Sequence, residues 1–546
     1  MSKKKAPYNR MILGLLFLIL IGQHAGFVRA EKPNTKPVQT TKPVTQKSTV
    51  ARTQLTNRNA STAAETRPTS GKGKTLPKQE DASRKDQAKT TSPDKPARET
   101  ASHQFVSPQS IIYPILQYEI PKAQRITLDN GITVFLLEDH ELPLVRMSVV
   151  VRTGSAYDPP EQPGLAELSC RAMRTAGTTA LTGDELDDRL DRMAVNIVTG
   201  VDPEAAQFSL NTLKENLEPA VDLFSQILTT PRFDPEKVRI EKELALEGMR
   251  RIEDDPQEYA FREFRKHLYR GNPRGNQKTI ASVGKLQVSD LIGFHRKYFY
   301  PENMMISVTG NINREEMVSL LSKYFQPAPV SQNVWNLPVP VIRGDGGIIV
   351  VRKETPQSIV LMGFAAPAKN SSDYHAFSIL DFVLGSGGFR SRIFQDIRNN
   401  RGLAYSAGSF YKAKGDYGVL STYGMTKTDS TMKVLDAMKS IVTDVGRSPL
   451  KPGEIIWAKK SIMNNFLFSF VSADQIAYQQ MMIEYERLPE DFLQNYRQKI
   501  RKVDSGDIQS LAGKYLRPEQ AIVLILGDEK RFDQPEKASG LVKPMK

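Results

Sequence analysis

A chain of 546 residues, 39% hydrophobic and 25% charged, is long enough for two or three cores. Its single cysteine, Cys170, excludes a disulfide-built scaffold. The net charge of +14 invites a nucleic-acid reading until it is located: residues 1–30 hold five basic and no acidic residues, and residues 31–100 hold fifteen basic against seven acidic. The rest is close to neutral, so a basic face on a folded domain, and with it a nucleic-acid partner, is not expected.

In chain order, residues 1–30 open with Lys3, Lys4, Lys5 and Arg10, run on as the apolar Met11 to Gly22, and end at Val28-Arg29-Ala30. That is the anatomy of a signal peptide, and its apolar run is short for a bilayer span of roughly 20 residues. Export is expected, with the periplasm as the compartment and an uncleaved membrane anchor as the alternative to cleavage. Residues 31–106 are rich in Lys, Thr, Pro and Ser, and no Phe, Tyr or Trp falls between 31 and 104. Such a stretch buries too little apolar area to offset chain entropy and predicts a disordered tether. Its cations would also suit contact with an anionic envelope surface.

The body divides into two related units, 107–330 and 331–546. Lys297-Tyr298-Phe299-Tyr300-Pro301-Glu302, followed by an apolar strand and Gly310-Asn311, recurs as Lys514-Tyr515-Leu516-Arg517-Pro518-Glu519, a strand, and Gly527-Asp528. The segments 220–228 and 434–442 match at nearly the same offset, which marks an internal duplication. Within the first unit, 126–137 reads as a hairpin about Asp129-Asn130-Gly131. Residues 144–151 predict a strand, and a helix starts after Gly164. The stretch 326–347, with Pro327, Pro329, Pro338 and Pro340, predicts the linker. In the second unit, 347–352 and 358–364 predict strands, and 374–384 a helix ending at Gly385. Strands in runs and helices in runs give an α+β class, each lobe a mostly antiparallel sheet packed with helices.

Three stretches then carry a likeness. They are Thr153-Gly154-Ser155-Ala156-Tyr157-Asp158 with Pro163-Gly164-Leu165-Ala166, then 241–256 (EKELALEGMRRIEDDP), then 384–405 (LGSGGFRSRIFQDIRNNRGLAY). In this order and spacing they resemble the insulinase/pitrilysin family of zinc peptidases, particularly its branch similar to mitochondrial processing peptidase. The resemblance covers about residues 109–530 and implies a clamshell of two homologous lobes. Active members place His-x-x-Glu-His on a helix after the Gly-Leu-Ala turn, so that two histidines and a later glutamate hold zinc. Here the motif places fall on Glu167, Cys170 and Arg171, and the later ligand on Gly248. An extra residue before Gly177 can shift the register by one, but no shift restores a histidine. The six histidines are His24, His103, His140, His267, His295 and His375, and no two lie within a helical turn of each other. A metal set of Glu167, Cys170 and either Glu243 or Glu247 is opposed by the charge of Arg171. Cys170 reads as a small buried residue, Glu167 and Arg171 as solvated, and His140 as a turn residue.

The third stretch keeps more of the pattern. By the same resemblance, an arginine and a tyrosine seven residues later hold the peptide carbonyl opposite the zinc, which implies this role for Arg398 and Tyr405. A guanidinium offers paired donors to a carbonyl, and a phenol donates one directed bond to developing negative charge. Arg401 is the rival arginine, and a surface arginine beside a core tyrosine is the plainer reading. Gly385-Ser386-Gly387-Gly388 lacks the Lys-Ser/Thr of a phosphate loop and reads as a helix junction or as backbone that touches peptide. Together these features predict a subunit that is not catalytic alone and carries no cofactor of its own. It would complete the cavity of a zinc-bearing partner and bind extended peptide. A stand-alone peptide-binding or envelope scaffold protein is the alternative, and an independent zinc peptidase lacks a visible ligand set.

Overall fold

The computed structural model describes residues 119–326 and 336–535. The expected signal peptide, the tether and residues 327–335 of the expected linker fall outside them. Strands β1 (Gln124–Thr127), β2 (Thr133–Glu138), β3 (Leu144–Val151), β4 (Asn196–Val201), β5 (Ala206–Leu213) and β6 (Met304–Gly310) form a sheet in the order β1-β2-β6-β3-β5-β4. The second sheet comprises β7 (Ile348–Arg352), β8 (Gln357–Ala366), β9 (Ala404–Ala413), β10 (Gly418–Lys427) and β11 (Ile522–Gly527), in the order β7-β11-β8-β10-β9. All pairings are antiparallel except β2 with β6 and β7 with β11. The β1–β2 hairpin closes over 128–132, where the Asn-Gly turn predicts it.

The duplication in sequence is a duplication in topology. The Val288–Tyr298 helix leads through a 3-10 turn into β6, and the Ser505–Tyr515 helix does the same into β11. Each of these strands is paired parallel on one side and antiparallel on the other. The predicted 374–384 helix differs in detail. It is α-helical over Tyr374–Asp381 and widens into a π-turn at Phe382–Ser386, and a second π-helix spans Phe394–Asn400. The widened turn presses Gly385 against β9, where an added Cβ would lie 2.3 Å from the Ser409 nitrogen. The buried Asp381 carboxylate accepts a hydrogen bond from Ser409 Oγ at 2.6 Å beside it. These close contacts, rather than chain flexibility, account for that part of the glycine run.

Each lobe covers one face of its own sheet. In the first, Phe208, Leu210, Met147 and Val149 pack against Leu168, Met173 and Phe224 from its helices. In the second, Met362, Phe364 and Leu420 pack against Phe377, Leu435 and Met438. The opposite face of each sheet is covered by a helix from the other lobe. The Ala473–Tyr485 helix lays Ala477, Met481 and Tyr485 on Phe135, Val150 and Met305 of the first sheet. The Pro256–Leu268 helix lays Ala260, Phe264 and Leu268 on Ile359, Leu361, Val419 and Leu524 of the second. Its approach is close: a Cβ on Gly363 would come within 2.6 Å of Leu268 and 2.7 Å of Phe264. With both faces covered, β6 and β11 are buried along nearly their whole length, which is why they read as unbroken apolar runs and do not alternate.

A polar lock joins the lobes beside these helices. Glu204 accepts from Arg274 Nε at 2.5 Å and from the Tyr417 hydroxyl at 2.9 Å, while its backbone carbonyl accepts from the Tyr485 hydroxyl at 2.7 Å. Arg274 also donates to the Pro338 carbonyl and lies over the Tyr417 ring. Burial works against the Arg274 charge, but the charge and hydrogen bond of Glu204 outweigh it and hold its pKa above the ordinary value. Removing one partner from a buried pair leaves an uncompensated charge. Glu204→Gln should therefore lower unfolding stability by about 3–5 kcal/mol, read from denaturant midpoints. The double replacement Glu204→Leu with Arg274→Met should recover most of the loss.

Candidate functional site in two lobes

The Leu165–Thr175 helix is started by a carboxylate. Asp158, nearly fully buried, accepts from the backbone nitrogens of Gly164 at 2.7 Å and Ala166 at 2.8 Å, satisfying two of the donors that a helix start leaves free. Along this helix Leu168, Ser169, Cys170, Ala172 and Met173 face the core, while Glu167 and Arg171 reach outward. Glu167 accepts from Lys278 Nζ at 2.6 Å. Arg171 lies 3.9 Å from Glu167 and 3.9 Å from Glu241 on the adjacent Pro235–Arg250 helix. Gly248, two turns beyond Glu241, offers no side chain, and a Cβ there would meet nothing within 4 Å.

This arrangement does not fit a zinc ion. Cys170 is completely enclosed in the core, and burial first, then the charges of Asp158 and Glu167, pushes its thiol far above the usual range, so a thiolate is disfavoured. Glu243 pairs with Arg239, and Glu247 with Arg250 and Arg251. Lys278 and Arg171 supply positive charge where the resemblance puts a metal, and a divalent cation beside them would be repelled. Among the described residues, no group of three or more His, Cys, Asp or Glu is placed to hold a metal. The four described histidines are scattered. His140 meets Asn311 at 2.8 Å in the turn after β2, His295 meets the Leu228 carbonyl, His267 lies on the Pro256–Leu268 helix, and His375 is packed among Tyr374, Phe492 and Tyr496. Lys278 and Glu241, which define the actual contacts here, were not legible in sequence, because Lys278 lies more than a hundred residues from Glu167.

In the second lobe, β9 carries a bulge opposite Met425 and Thr426. It turns Tyr405 to the sheet face that the Pro256–Leu268 helix also occupies. The Tyr405 hydroxyl lies 3.4 Å from Gln357 Oε1 and 3.5 Å from Met425 Sδ, both long contacts, and the residue is 49% exposed. A cavity of about 170 Å³ beside it is lined by Asp255, Pro256 and Gln257 of the first lobe and Gln357, Ile359, Tyr405 and Met425 of the second. Partial burial raises the Tyr405 pKa, which keeps the phenol protonated and able to donate. Arg398, at the outer face of the second π-helix, is exposed, with its guanidinium 4.9 Å above the Phe394 ring. Arg401, the rival, is ion-paired to Asp396 at 2.8 Å. Among the described residues, Arg401 has a carboxylate partner and Arg398 has none.

Two sheet-and-helix lobes with this constellation define a peptidase-like fold whose first-lobe motif positions Glu167 and Arg171 are taken up in ion pairs. Residues 133–280 match the family described as Insulinase (Peptidase family M16), and residues 285–461 match the Peptidase M16 inactive domain. The chain belongs to peptidase family M16. It is 24% identical over 404 residues to an uncharacterized zinc protease of Rickettsia felis, covering 73% of this chain and 90% of that one. Its fold matches that of the M16 inactive domain from Pseudomonas fluorescens with a TM-score of 0.68 at 20% identity, over 74% of this chain and 98% of the other. It also matches the structure described as the periplasmic protease PqqL from Escherichia coli, with a TM-score of 0.62 at 14% identity, over 78% of this chain and 49% of the other. Among the described residues, no helix is long and apolar enough to cross a membrane.

Asp158 gives this region a pH dependence. Burial is the largest influence on its carboxyl and pushes it up to about 7, against the opposing hydrogen bonds from Ala166 and Gly164. A folded-state pKa raised above the unfolded value contributes stability that is fully present below about pH 4 and is lost as pH rises through about 7. Asp158→Asn removes the titration and one acceptor. It should cost about 1–3 kcal/mol at pH 4, with the gap to the parent shrinking as pH rises to 7, as read from melts across that range.

Proposed function

We propose that this chain is a non-catalytic, substrate-binding subunit of a heteromeric M16-type metallopeptidase, completing the active cavity of a zinc-bearing relative. The observation that carries the reading is an asymmetry between the lobes. The first-lobe motif positions are closed by ion pairs, while in the second lobe Tyr405 and Arg398 keep polar groups turned outward. Two edge strands suit extended peptide. Among the described residues, strand β4, beside the Leu165–Thr175 helix, pairs only with β5, and β9 only with β10, which leaves each one backbone edge that can take an added strand. Zinc would reside on the partner. Export to the periplasm belongs to the same proposal and is supported by the pattern of residues 1–30 and by the fold shared with a protein described as periplasmic.

Elemental analysis of the purified chain is expected to find no stoichiometric zinc, and peptide assays without a partner no chelator-sensitive cleavage. One tightly held zinc per chain together with such cleavage would end the non-catalytic reading.

The role in a partner's cavity is tested by co-expression with a zinc-bearing relative from the same genome. At matched assembly, Tyr405→Phe should lower turnover about 10²–10³-fold, the usual cost of one preorganised donor to an oxyanion. Arg398→Lys should also lower it, because an ammonium lacks the planar fork. The scaffold alternative gives unchanged turnover for both variants.

A further inference from the structure

The strand that carries Tyr405 has a second inward-facing feature. Register with β10 fixes which side chains share its inner face. Phe410 lies opposite Ser421 and Lys412 opposite Val419, and Val419, like Tyr423 and Met425, belongs to the cluster beneath the Pro256–Leu268 helix. Residues across an antiparallel pair point to the same side of the sheet, so Tyr405, Phe410 and Lys412 form a row on this inner face. On the helix, Gln257, Phe261 and Arg265 recur every four residues and share one stripe. The two rows run side by side. Gln257 and Tyr405 line the same small cavity, Phe261 and Phe410 have ring centroids 6.0 Å apart, and Lys412 feels the charge of Arg265.

The far end of the two rows holds two cations that feel Asp202 but form no ion pair with a carboxylate. Among the described residues, no carboxylate lies within ion-pair distance of Arg265 or Lys412, and the Arg265 Nε is buried without a hydrogen-bond partner. The nearby acids are taken: Glu204 by Arg274, Asp202 and Glu204 by Lys414 at 3.9 Å each, and Glu486 by Lys369 at 2.6 Å. Lys412 still reaches solvent, yet the protein around it excludes enough water to push its pKa down. The charge of the neighbouring Lys414 lowers it further. An anion there would meet Arg265, whose Nε is already shielded from water and unpartnered, and charge-assisted hydrogen bonds to such a group are strong.

We propose that β9 and the Pro256–Leu268 helix form a carboxylate-selecting peptide subsite, in which Lys412 and Arg265 hold an acidic group about six residues along an extended strand from the residue whose carbonyl meets Tyr405. The Phe261–Phe410 pair favours an apolar residue between them. The subsite deepens the peptide-binding reading above and rests on it. The carboxylate belongs either to an acidic side chain or to the C-terminus of the peptide.

The test is direct binding to the purified full chain, followed by fluorescence anisotropy at low salt. Four labelled decapeptides share an apolar centre. One has Glu near its C-terminal end and an amidated terminus, one has Gln there with a free terminus, one has Gln with an amidated terminus, and one has Lys with an amidated terminus. The Glu peptide or the free-terminus peptide should bind about tenfold or more tighter than the Lys peptide, and whichever does so names the source of the carboxylate. Lys412→Gln should abolish that preference, so that the favoured peptide binds no tighter than the amidated Gln peptide. The melting temperature should hold, because the Lys412 side chain reaches solvent. Arg265→Gln should weaken the preference in the same direction, and Tyr405→Phe should leave it intact. Equal affinity for all four peptides, or a preference that survives Lys412→Gln, overturns the subsite while leaving peptide binding standing. Failure of every peptide to bind overturns the peptide-binding reading and the subsite with it.

Discussion

The structure depends on a simple shortage: each sheet has two apolar faces, and its own lobe supplies helices for only one. The second faces, which include Phe135, Val150 and Met305 in one lobe and Leu361, Val419 and Leu524 in the other, would be left in water by a lobe standing alone. Burying one such side chain is worth about 1.5–3 kcal/mol, so the exchange of helices Pro256–Leu268 and Ala473–Tyr485 is a principal force holding the lobes together. It also fixes where the chemistry can be. The helix that covers the second sheet brings Asp255, Gln257, Phe261 and Arg265 of one lobe against Tyr405, Phe410 and Lys412 of the other, so the recess around Tyr405 exists only because the lobes trade helices.

The polar lock follows from the same geometry. Covering a sheet face from across the lobe boundary draws the β4–β5 turn, with Asp202 and Glu204, into a region that water has largely left. Charges there must be matched, and Arg274, Lys414 and the hydroxyls of Tyr417 and Tyr485 match them. The degenerate metal position shows the same rule on a more open surface. Glu167 and Glu241 would repel each other unaided, and Lys278 and Arg171 neutralise them in place of a cation from solution. These pairs are partly exposed, so each is worth little by itself. Their effect is to remove the need for a metal.

Much of the architecture was legible in the sequence. The Asn-Gly hairpin, the strand 144–151 and the repeat that ends in β6 and β11 all follow from local pattern, because alternation, turn residues and duplication are local properties. The three family-like stretches led to both halves of the candidate site. What the sequence withheld was long-range. Nothing in the Pro256–Leu268 segment announces that its apolar stripe is meant for the other lobe's sheet, since periodicity gives a buried face but not its partner. The two π-turns were missed because they answer to packing at Gly385 and Phe382 that no spacing rule encodes. Lys278 and Glu241 were missed for the same reason, and so was the shared inner face of Tyr405, Phe410 and Lys412, which depends on a bulge at one residue.

That the core here closes on side chains alone has a physical explanation in the distribution of its stability. Structural zinc sites supply folding free energy, whereas a catalytic zinc with an open coordination position is an addition to a core that is already closed. In this chain the helix that would bear the metal is held from beneath by Leu168, Cys170, Ala172 and Met173 and from its start by Asp158, none of which needs an ion. The second lobe makes the same point through its counterpart helix pair. There the Phe382 and Trp457 rings, 5.0 Å apart, pack between the Tyr374–Asp381 segment and the Pro452–Leu467 helix, with the Arg390 guanidinium 4.9 Å from the Trp457 ring. A duplicated unit whose helix pair closes on aromatic packing in one copy, and on ion pairs above an apolar base in the other, draws on its own side chains in both copies. The positions on the outer face of the first pair are therefore free to change, while the inner face of β9 is constrained by the helix from across the boundary.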